Sequence, residues 1–165
     1  MEHVRYIDRT REDYIRQGYE KSYEWAHFDD VPFTPLKKPL SKSRIGLIGT
    51  SEVAVKFDPE TEENPISEED FRGVYAIPAN LPTEKFYSRT SSFDRNATTL
   101  DDVNAFYPID QMRKAVANGQ IGSMPDSFYG AYNNYSQRKV LEQEAPKALA
   151  FARRDELYAM IMVPV

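Results

Sequence analysis

Three polar residues follow the short apolar run "RIGLIG", and their position suits the binding of a small polar molecule. Thr50 and Ser51 carry hydroxyl groups and Glu52 carries a carboxylate, so together they can donate and accept hydrogen bonds. Ligands of open α/β sheets bind beyond the carboxyl ends of the strands. We therefore expect these three residues to line a crevice at the end of a strand, close to Val165 if the strands run parallel.

The chain contains no cysteine and has two histidines, His3 and His27, which limits its chemistry. It carries no thiol nucleophile, no disulfide and no thiolate ligand for zinc or an iron–sulfur cluster. His27 stands beside two aspartates in "EWAHFDD", where metal binding competes with a capping or surface role. We predict neither a metal nor a cofactor in this chain.

Length and charge narrow the class of protein. A chain of 165 residues, 41% of them hydrophobic, is long enough for one domain with a real core. A formal charge of -5 and the absence of a basic stripe argue against nucleic acid as a partner. Neither a membrane helix, which requires about 18 apolar residues, nor a signal peptide is recognisable. We expect a cytoplasmic protein.

The N-terminal segment is predicted as a helix followed by a stiff connector. Thr10 and Asp13 form a variant of the capping box, and aromatic residues recur at helical spacing, which predicts a helix over 11–25 with an aromatic packing face. Three prolines then forbid regular structure: Pro32, Pro35 and Pro39. The expected organisation is therefore a helix and connector over 1–40 and an α/β domain over 41–165.

Strands and helices alternate through the rest of the chain. The runs "RIGLIGT", "GVYAIPA" and "YAMIMVPV" are typical of buried strands. One helix is predicted from Pro108 to Gly119, and another restarts at Ala145 and Pro146, because proline inside a helix costs about 3 kcal/mol. We interpret "SMPDSFYGAYNNYSQ" as a loop. This alternation predicts a Rossmann-like three-layer α/β domain with a mostly parallel sheet.

Several stretches resemble, in order, the B component (selenoprotein B) family of glycine, sarcosine and betaine reductases, to which a D-proline reductase subunit is related. The most specific is "SSFDRNATTLDDVNAFYPIDQMRKAVANGQIGSM", and "PFTPLKKPLSKSRIGLIGT", "KFDP", "FRGVYAIPA" and "APKALAFARRDELYAMIMVPV" accompany it. The resemblance covers residues 32–165 and leaves the N-terminal helix outside. It implies an oxidoreductase whose redox cysteine or selenocysteine lies just beyond the strand that ends here at Val165.

The resemblance also points to site residues and shows two departures. Ser92 stands where relatives often have a histidine, and Phe128 stands where a histidine precedes Tyr129, so two proton-transfer groups are absent. Ordinary loop polarity, such as a turn formed by Ser92 and Asp94, explains the same residues without a site. We assign no catalytic residue. The predicted substrate-binding residues are Thr50, Ser51, Glu52, Ser92, Asp94 and Tyr129.

These observations leave three functions open. The first is a subunit of a heteromeric reductase-like enzyme that acts on a small amino-acid-like substrate, with the redox cysteine or selenocysteine supplied by a second protein subunit. The second is the truncated N-terminal half of a complete selenoprotein B-type reductase. The third is a non-catalytic binding or scaffold subunit, because a fold does not imply a function.

Overall fold

The computed structural model describes residues 5–93, 95, 99–134 and 136–165 and forms two units, Met1–Pro35 and Leu36–Val165. The first unit contains helix α1 (Tyr6–Arg16). Thr10 lies inside this helix and donates from Oγ1 to the carbonyl of Tyr6 over 2.9 Å, so the predicted cap at Thr10 is wrong. No helix in the described part of the chain is long and apolar enough to cross a membrane.

Gly18 explains why α1 ends earlier than the predicted residue 25. Its φ of 89° is accessible to glycine at little cost. The Gly18 amide donates to the carbonyl of Ile15, and the Tyr19 amide donates to that of Tyr14, which is the hydrogen-bond pattern of a Schellman motif. The aromatic residues of the predicted face do pack together, with ring centres of Tyr14 and Tyr19 5.0 Å apart.

The second unit contains a four-stranded sheet in the order β3-β5-β1-β6. Its central strand, β1, pairs in parallel with both neighbours, and β3 pairs with β5 antiparallel. A mixed α/β fold with a mostly parallel sheet is therefore confirmed. A separate two-stranded antiparallel sheet joins β2 and β4. The strands are β1 (Ile45–Gly49), β2 (Val53–Val55), β3 (Val74–Pro78), β4 (Phe86–Ser88), β5 (Ser127–Ala131) and β6 (Ala159–Val163).

Apolar side chains alternate between the two faces of the sheet because successive residues of a strand point in opposite directions. On one face, Leu47 belongs to the main core, together with Ile109 and Met112 of a helix. On the other face, Ile48 and Tyr129 form a smaller core against a second helix. The α-helices of this unit are α2 (Val103–Phe106), α3 (Ile109–Ala117), α4 (Gln137–Lys139) and α5 (Ala145–Arg154), and a π-turn (Val140–Glu144) joins α4 to α5.

The predicted helix boundaries in this unit are close to the observed ones. Helix α3 begins one residue after Pro108, which is its N-cap, and Gly119 follows its end with a φ of 67°. Helix α5 begins at Ala145 with Pro146 in its first turn, as expected. The helical path nevertheless continues upstream through the π-turn, in which the Ala145 amide donates to the carbonyl of Val140.

Two strand predictions are corrected by the structure. The residues interpreted as a loop contain β5, which lies between β3 and β1 in the sheet. The terminal strand β6 is a strand as predicted, but it lies at the edge of the sheet and is not buried. Ile161 is 44% exposed and Met162 is 72% exposed, because the described residues supply β6 with a partner on one side only.

Candidate functional site

The turn after β1 lies at the carboxyl end of the parallel strands, as the sequence predicts. The Thr50 amide donates to the carbonyl of Val163 over 3.1 Å, and the Val165 amide donates to Thr50 Oγ1 over 3.0 Å. Because β1 and β6 are parallel, both strands end at this position. Thr50 is thereby held at the edge where open α/β sheets bind ligands.

Ser51 and Glu52 complete this turn in an unusual way. Ser51 is fully buried, and its hydroxyl oxygen has no hydrogen-bond partner among the described residues. Glu52 has a φ of 51°, a left-handed conformation that costs a residue with a Cβ about 1–2 kcal/mol. Unsatisfied groups and strained backbone are both more frequent at functional sites than elsewhere.

The segment after β4 is fastened to the same turn. Ser88 Oγ donates to the carbonyl of Ser51 over 2.5 Å, and the Arg89 amide donates to the carbonyl of Glu52 over 3.1 Å. Ser92, four residues after Ser88, is exposed, and its amide donates to Thr90 Oγ1. The structure thus brings the segment that leads to Ser92 against the turn formed by Thr50, Ser51 and Glu52. Asp94 lies outside the described residues.

Arg89 is a cation next to this turn that the sequence did not single out. Its guanidinium lies 4.0 Å from the centre of the Phe71 ring and donates to Glu68 over 3.1 Å. The neighbouring Tyr75 is buried and donates from its hydroxyl to the carbonyl of Val53. Burial, and then the charge of Glu52, raise the pKa of Tyr75, so this phenol is a structural hydrogen-bond donor and not an acid near neutral pH.

Tyr129, by contrast, directs its hydroxyl away from the turn. Its side chain is buried against Phe151, and its hydroxyl donates to the carboxylate of Asp155. Asp155 follows the end of α5, three residues before Tyr158, whose amide binds the carbonyl of Arg44 at the amino end of β1. Burial, and then the contact with Asp155, raise the pKa of Tyr129.

A cavity of about 190 Å³ lies on the α5 face of the sheet and includes Thr50. Glu144, only 8% exposed, is one of the lining residues, and its carboxylate accepts a hydrogen bond of 3.1 Å from Asn134 Nδ2, another lining residue. Sequence reasoning missed both residues. The one available signal was Pro146, which lacks an amide hydrogen and so favours irregular hydrogen bonding in the preceding turn, where Glu144 lies.

The two regions have different chemical capacities. The turn of residues 50–52 offers hydroxyl, amide and carboxylate groups, which suit recognition of a polar substrate but provide no nucleophilic thiol. The cavity has mainly apolar walls, and Glu144 is the one acidic residue among the described residues that line it. Among the described residues, no group of three or more histidine, aspartate or glutamate side chains is arranged to hold a metal ion. The arrangement therefore suits binding and positioning.

Comparisons with known proteins agree with the resemblance found in the sequence. A relative named glycine reductase complex component B subunit gamma, from Carboxydothermus hydrogenoformans, is 29% identical over 65% of this chain and 24% of its own length. The protein of the same name from Symbiobacterium thermophilum is 26% identical over 72% and 27% of the two chains. A sarcosine reductase complex component B subunit beta from Peptoclostridium acidaminophilum is 27% identical over 68% and 26%.

These matches cover about a quarter of the length of each relative. No solved structure matches the chain. The model of the family described as glycine/sarcosine/betaine reductase selenoprotein B matches residues 7–163. This match includes α1 apart from its first residue, Tyr6, whereas the resemblance in the sequence had left the N-terminal helix outside. The chain therefore belongs to the glycine/sarcosine/betaine reductase selenoprotein B family.

Proposed function

We propose that this chain is a subunit of a heteromeric reductase-like enzyme that acts on a small amino-acid-like substrate by carbon–heteroatom bond chemistry. The observation that carries the proposal is the family match over residues 7–163 in a chain without cysteine. Its relatives are named as subunits of reductase complexes. In this proposal, a second protein subunit supplies the redox cysteine or selenocysteine.

The chain's own contribution is to shape part of the substrate crevice. Thr50, Ser51 and Glu52 form a turn at the carboxyl end of the sheet, and the segment leading to Ser92 is hydrogen-bonded to it. Asp94 belongs to the proposed site on sequence grounds alone. The burial of Tyr129 and its bond to Asp155 favour an indirect contribution, in which Tyr129 holds β5 against α5.

We also propose that residues 41–165 form a Rossmann-like three-layer domain, preceded by the helix and connector of residues 1–40. Support comes from the parallel pairing of β1 with both neighbours and from cores on both faces of the sheet. The antiparallel strand β3 departs from a fully parallel, doubly wound sheet.

A reconstitution experiment tests the proposed function. The chain is tagged, isolated with its partners from its own host, and assayed for reductive cleavage of glycine, sarcosine or betaine with a dithiol as reductant. We expect turnover in the isolated mixture, loss of turnover when this chain is omitted, and recovery when it is added back. Activity of the partners alone at the same rate would contradict the proposal and favour a binding or scaffold role.

A further inference from the structure

We propose that the open edge of β6 and a group of cations at its amino end form one binding surface for a protein chain that presents an uncharged strand flanked by acidic residues. The inference deepens the proposed function and rests on it for the role of that protein as the partner subunit. We call the group of cations the basic face. Its members are Lys37, Lys38, Lys42, Arg44 and Arg153.

The two edge strands of the four-stranded sheet differ in burial. At one edge is β3, whose Val74, Tyr75 and Ile77 are at most 2% exposed. At the other edge is β6, where Ile161 is 44% exposed and Met162 is 72% exposed. The described residues therefore cover the side chains of β3 and leave those of β6 partly uncovered.

Strand β6 also lacks the features with which edge strands avoid pairing. Its five residues, "AMIMV", include neither a charged residue nor a proline. Each of the five has a register partner in β1, so β6 contains no bulge. Unpaired edge strands usually carry a lysine, a proline or a bulge, because their outer amides and carbonyls attract another strand. The absence of these features in β6 favours a strand of another chain as its outer neighbour.

The basic face is assembled around Tyr158, which immediately precedes β6. The amides of Lys37 and Lys38 both donate to the Tyr158 hydroxyl, and the Tyr158 amide donates to the carbonyl of Arg44 over 2.8 Å. The Nζ atom of Lys38 lies 4.7 Å from the centre of the Tyr158 ring. These cations are therefore continuous with the amino end of the open edge.

The other two cations are placed by their chain neighbours. Lys42 stands two residues before Arg44, and Arg153 lies in the last turn of α5, where its carbonyl accepts from the Glu156 amide. Because the five cations come from residues 37–44 and 153, they form no stripe in the sequence. None of them forms an ion pair within the described part of the chain, although the whole chain has a formal charge of -5.

The acids of the same turn leave the basic face largely unneutralised. Asp155 is bound by Arg154 through two hydrogen bonds of 2.8 Å and by the Tyr129 hydroxyl, and Glu156 is one exposed acid beside five cations. The Nε atom of Arg44 is buried and has no acceptor among the described residues. Buried donors are usually paired, so this atom also indicates that an acceptor comes from outside the chain.

The open edge determines which kind of anionic partner fits. A strand edge is completed by main-chain N–H and C=O groups at the spacing of a β-strand, which a polypeptide supplies and a nucleic acid does not. Complementary charges next to such an edge steer the encounter and fix the register. The partner should therefore carry acidic residues directly beside its strand, at the end that lies next to Tyr158.

The surface is tested by hydrogen exchange and mass spectrometry on the assembly isolated from the host through a tag on this chain. We expect the amides of residues 159–163 to exchange at least about tenfold more slowly in the assembly than in the isolated chain. The co-isolated protein should contain its own slowed segment, an uncharged strand with acidic residues at one end. Equal exchange in both samples, or a slowed segment without acidic residues, would overturn the inference.

Charge reversal tests the basic face separately. Lys42→Glu combined with Arg153→Glu should weaken binding of the purified partner about tenfold or more at about 0.1 M salt, because attraction becomes repulsion. The loss should shrink at about 1 M salt, where the Debye length falls from about 10 Å to about 3 Å. The matched control is Lys56→Glu combined with Arg72→Glu, which reverses two exposed charges away from the basic face and should leave the affinity unchanged.

Equal affinities for the two double variants would overturn the role of the basic face. Should the first double variant fail to fold, Lys42→Gln combined with Arg153→Gln provides the second test, with an expected loss of about threefold at the lower salt concentration. A homodimer without a second protein, or bound material that ribonuclease releases, would also contradict the inference, since neither is the partner that it names.

These results are distinguishable from failure of the proposed function, which is measured by turnover of the assembly. A partner that protects β6 and depends on the basic face, in an assembly without turnover, would support the surface and contradict the reductase. Turnover in an assembly whose residues 159–163 exchange as fast as in the isolated chain would support the reductase and contradict the surface.

Discussion

The Ser88 hydroxyl donates a hydrogen bond of 2.5 Å to the backbone carbonyl of Ser51. This bond joins the end of β4 to the turn after β1, across 37 residues of sequence. The same hydroxyl accepts from the amide of Thr90 at 3.2 Å. One side chain therefore organises both segments that carry the predicted site, although Ser88 is not itself a predicted site residue.

Ser88→Ala is expected to lower the free energy of unfolding by about 1–2 kcal/mol, because two partly buried hydrogen bonds are lost. Ser92→Ala is the matched control, since Ser92 is exposed and its described hydrogen bond uses the backbone amide. Urea unfolding of both variants measures the difference. A Ser88→Ala protein as stable as Ser92→Ala would show that the two segments are held together by other contacts.

Glu52→Gly is expected to be at least as stable as the wild type, with a gain of up to about 1 kcal/mol, despite the flexibility that glycine adds to the unfolded chain. The reason is the φ of 51° at Glu52, which glycine adopts without strain. Glu52→Ala keeps the Cβ and removes the carboxylate, so it should be less stable than Glu52→Gly. Thermal unfolding compares the two, and the reverse order would mean that the turn relaxes when the carboxylate is removed.

The sequence predicted those strands and helices whose apolar pattern and end signals lie within the element itself. Strand β1 is apolar on both faces, and α3 is bounded by Pro108 and Gly119, so both were found. Strand β5 was missed because Gly130 interrupts its apolar pattern. That glycine is required by a residue distant in sequence, Tyr75, whose phenol ring occupies the space that a side chain at position 130 would need.

The candidate site likewise has one part that the sequence predicted and one part that it did not. The polar turn at Thr50 follows a recognisable strand, and the general rule for open α/β sheets was enough to place it beside Val165. Glu144 depends on a π-turn and on the side chain of Asn134, and neither follows from the spacing of apolar residues. In the sequence, no feature distinguishes Glu144 from the other acidic residues of this acidic chain.

Gly130→Ala is expected to destabilise the protein by about 2–3 kcal/mol or more, because the new Cβ would overlap the ring of Tyr75. That ring cannot easily move, since its hydroxyl binds the carbonyl of Val53 and its face stacks on Phe71. Gly46→Ala is the control: its Cβ would meet the end of the Leu157 side chain, which can rotate. Equal losses of unfolding free energy in the two variants would contradict this account of β5.

The carboxyl group of Asp110 should make the free energy of unfolding depend on pH. Hydrogen bonds from Thr83 and then Asn104, followed by the contact with Arg113, lower the pKa of its carboxyl below the ordinary value of 3.8. A lowered folded-state pKa contributes stability above the unfolded-state pKa, and this contribution is lost as the pH falls through the folded-state value. The stabilisation is modest because the side chain is 34% exposed.

The wild type should therefore be more stable than Asp110→Asn at neutral pH, and the difference should shrink between about pH 5 and pH 2. Urea unfolding at a series of pH values measures it. Asp126→Asn is the control, since Asp126 is exposed and its described hydrogen bond uses the backbone carbonyl. If the difference in unfolding free energy between the wild type and Asp110→Asn stays constant as the pH falls, the negative charge of Asp110 does not stabilise the fold.

Ile161→Lys tests whether the exposed strand β6 is where the proposed partner subunit binds. Ile161 is 44% exposed on a strand that the described residues pair on one side only. A free edge leaves backbone donors and acceptors for another chain, and a lysine on an edge strand discourages such pairing. We expect the partner to be lost from material isolated from the host, while the unfolding free energy of the isolated chain changes by less than about 1 kcal/mol.

Tyr87→Lys provides the matched control for that isolation. Tyr87 is 38% exposed on β4 of the two-stranded sheet. Its replacement by lysine therefore adds the same charge as Ile161→Lys, at a similar exposure but on a different sheet. If β6 is the interface, Tyr87→Lys retains the partner and Ile161→Lys does not. Loss of the partner in both variants would indicate a general effect of added positive charge, and retention in both would place the partner on another surface of the chain.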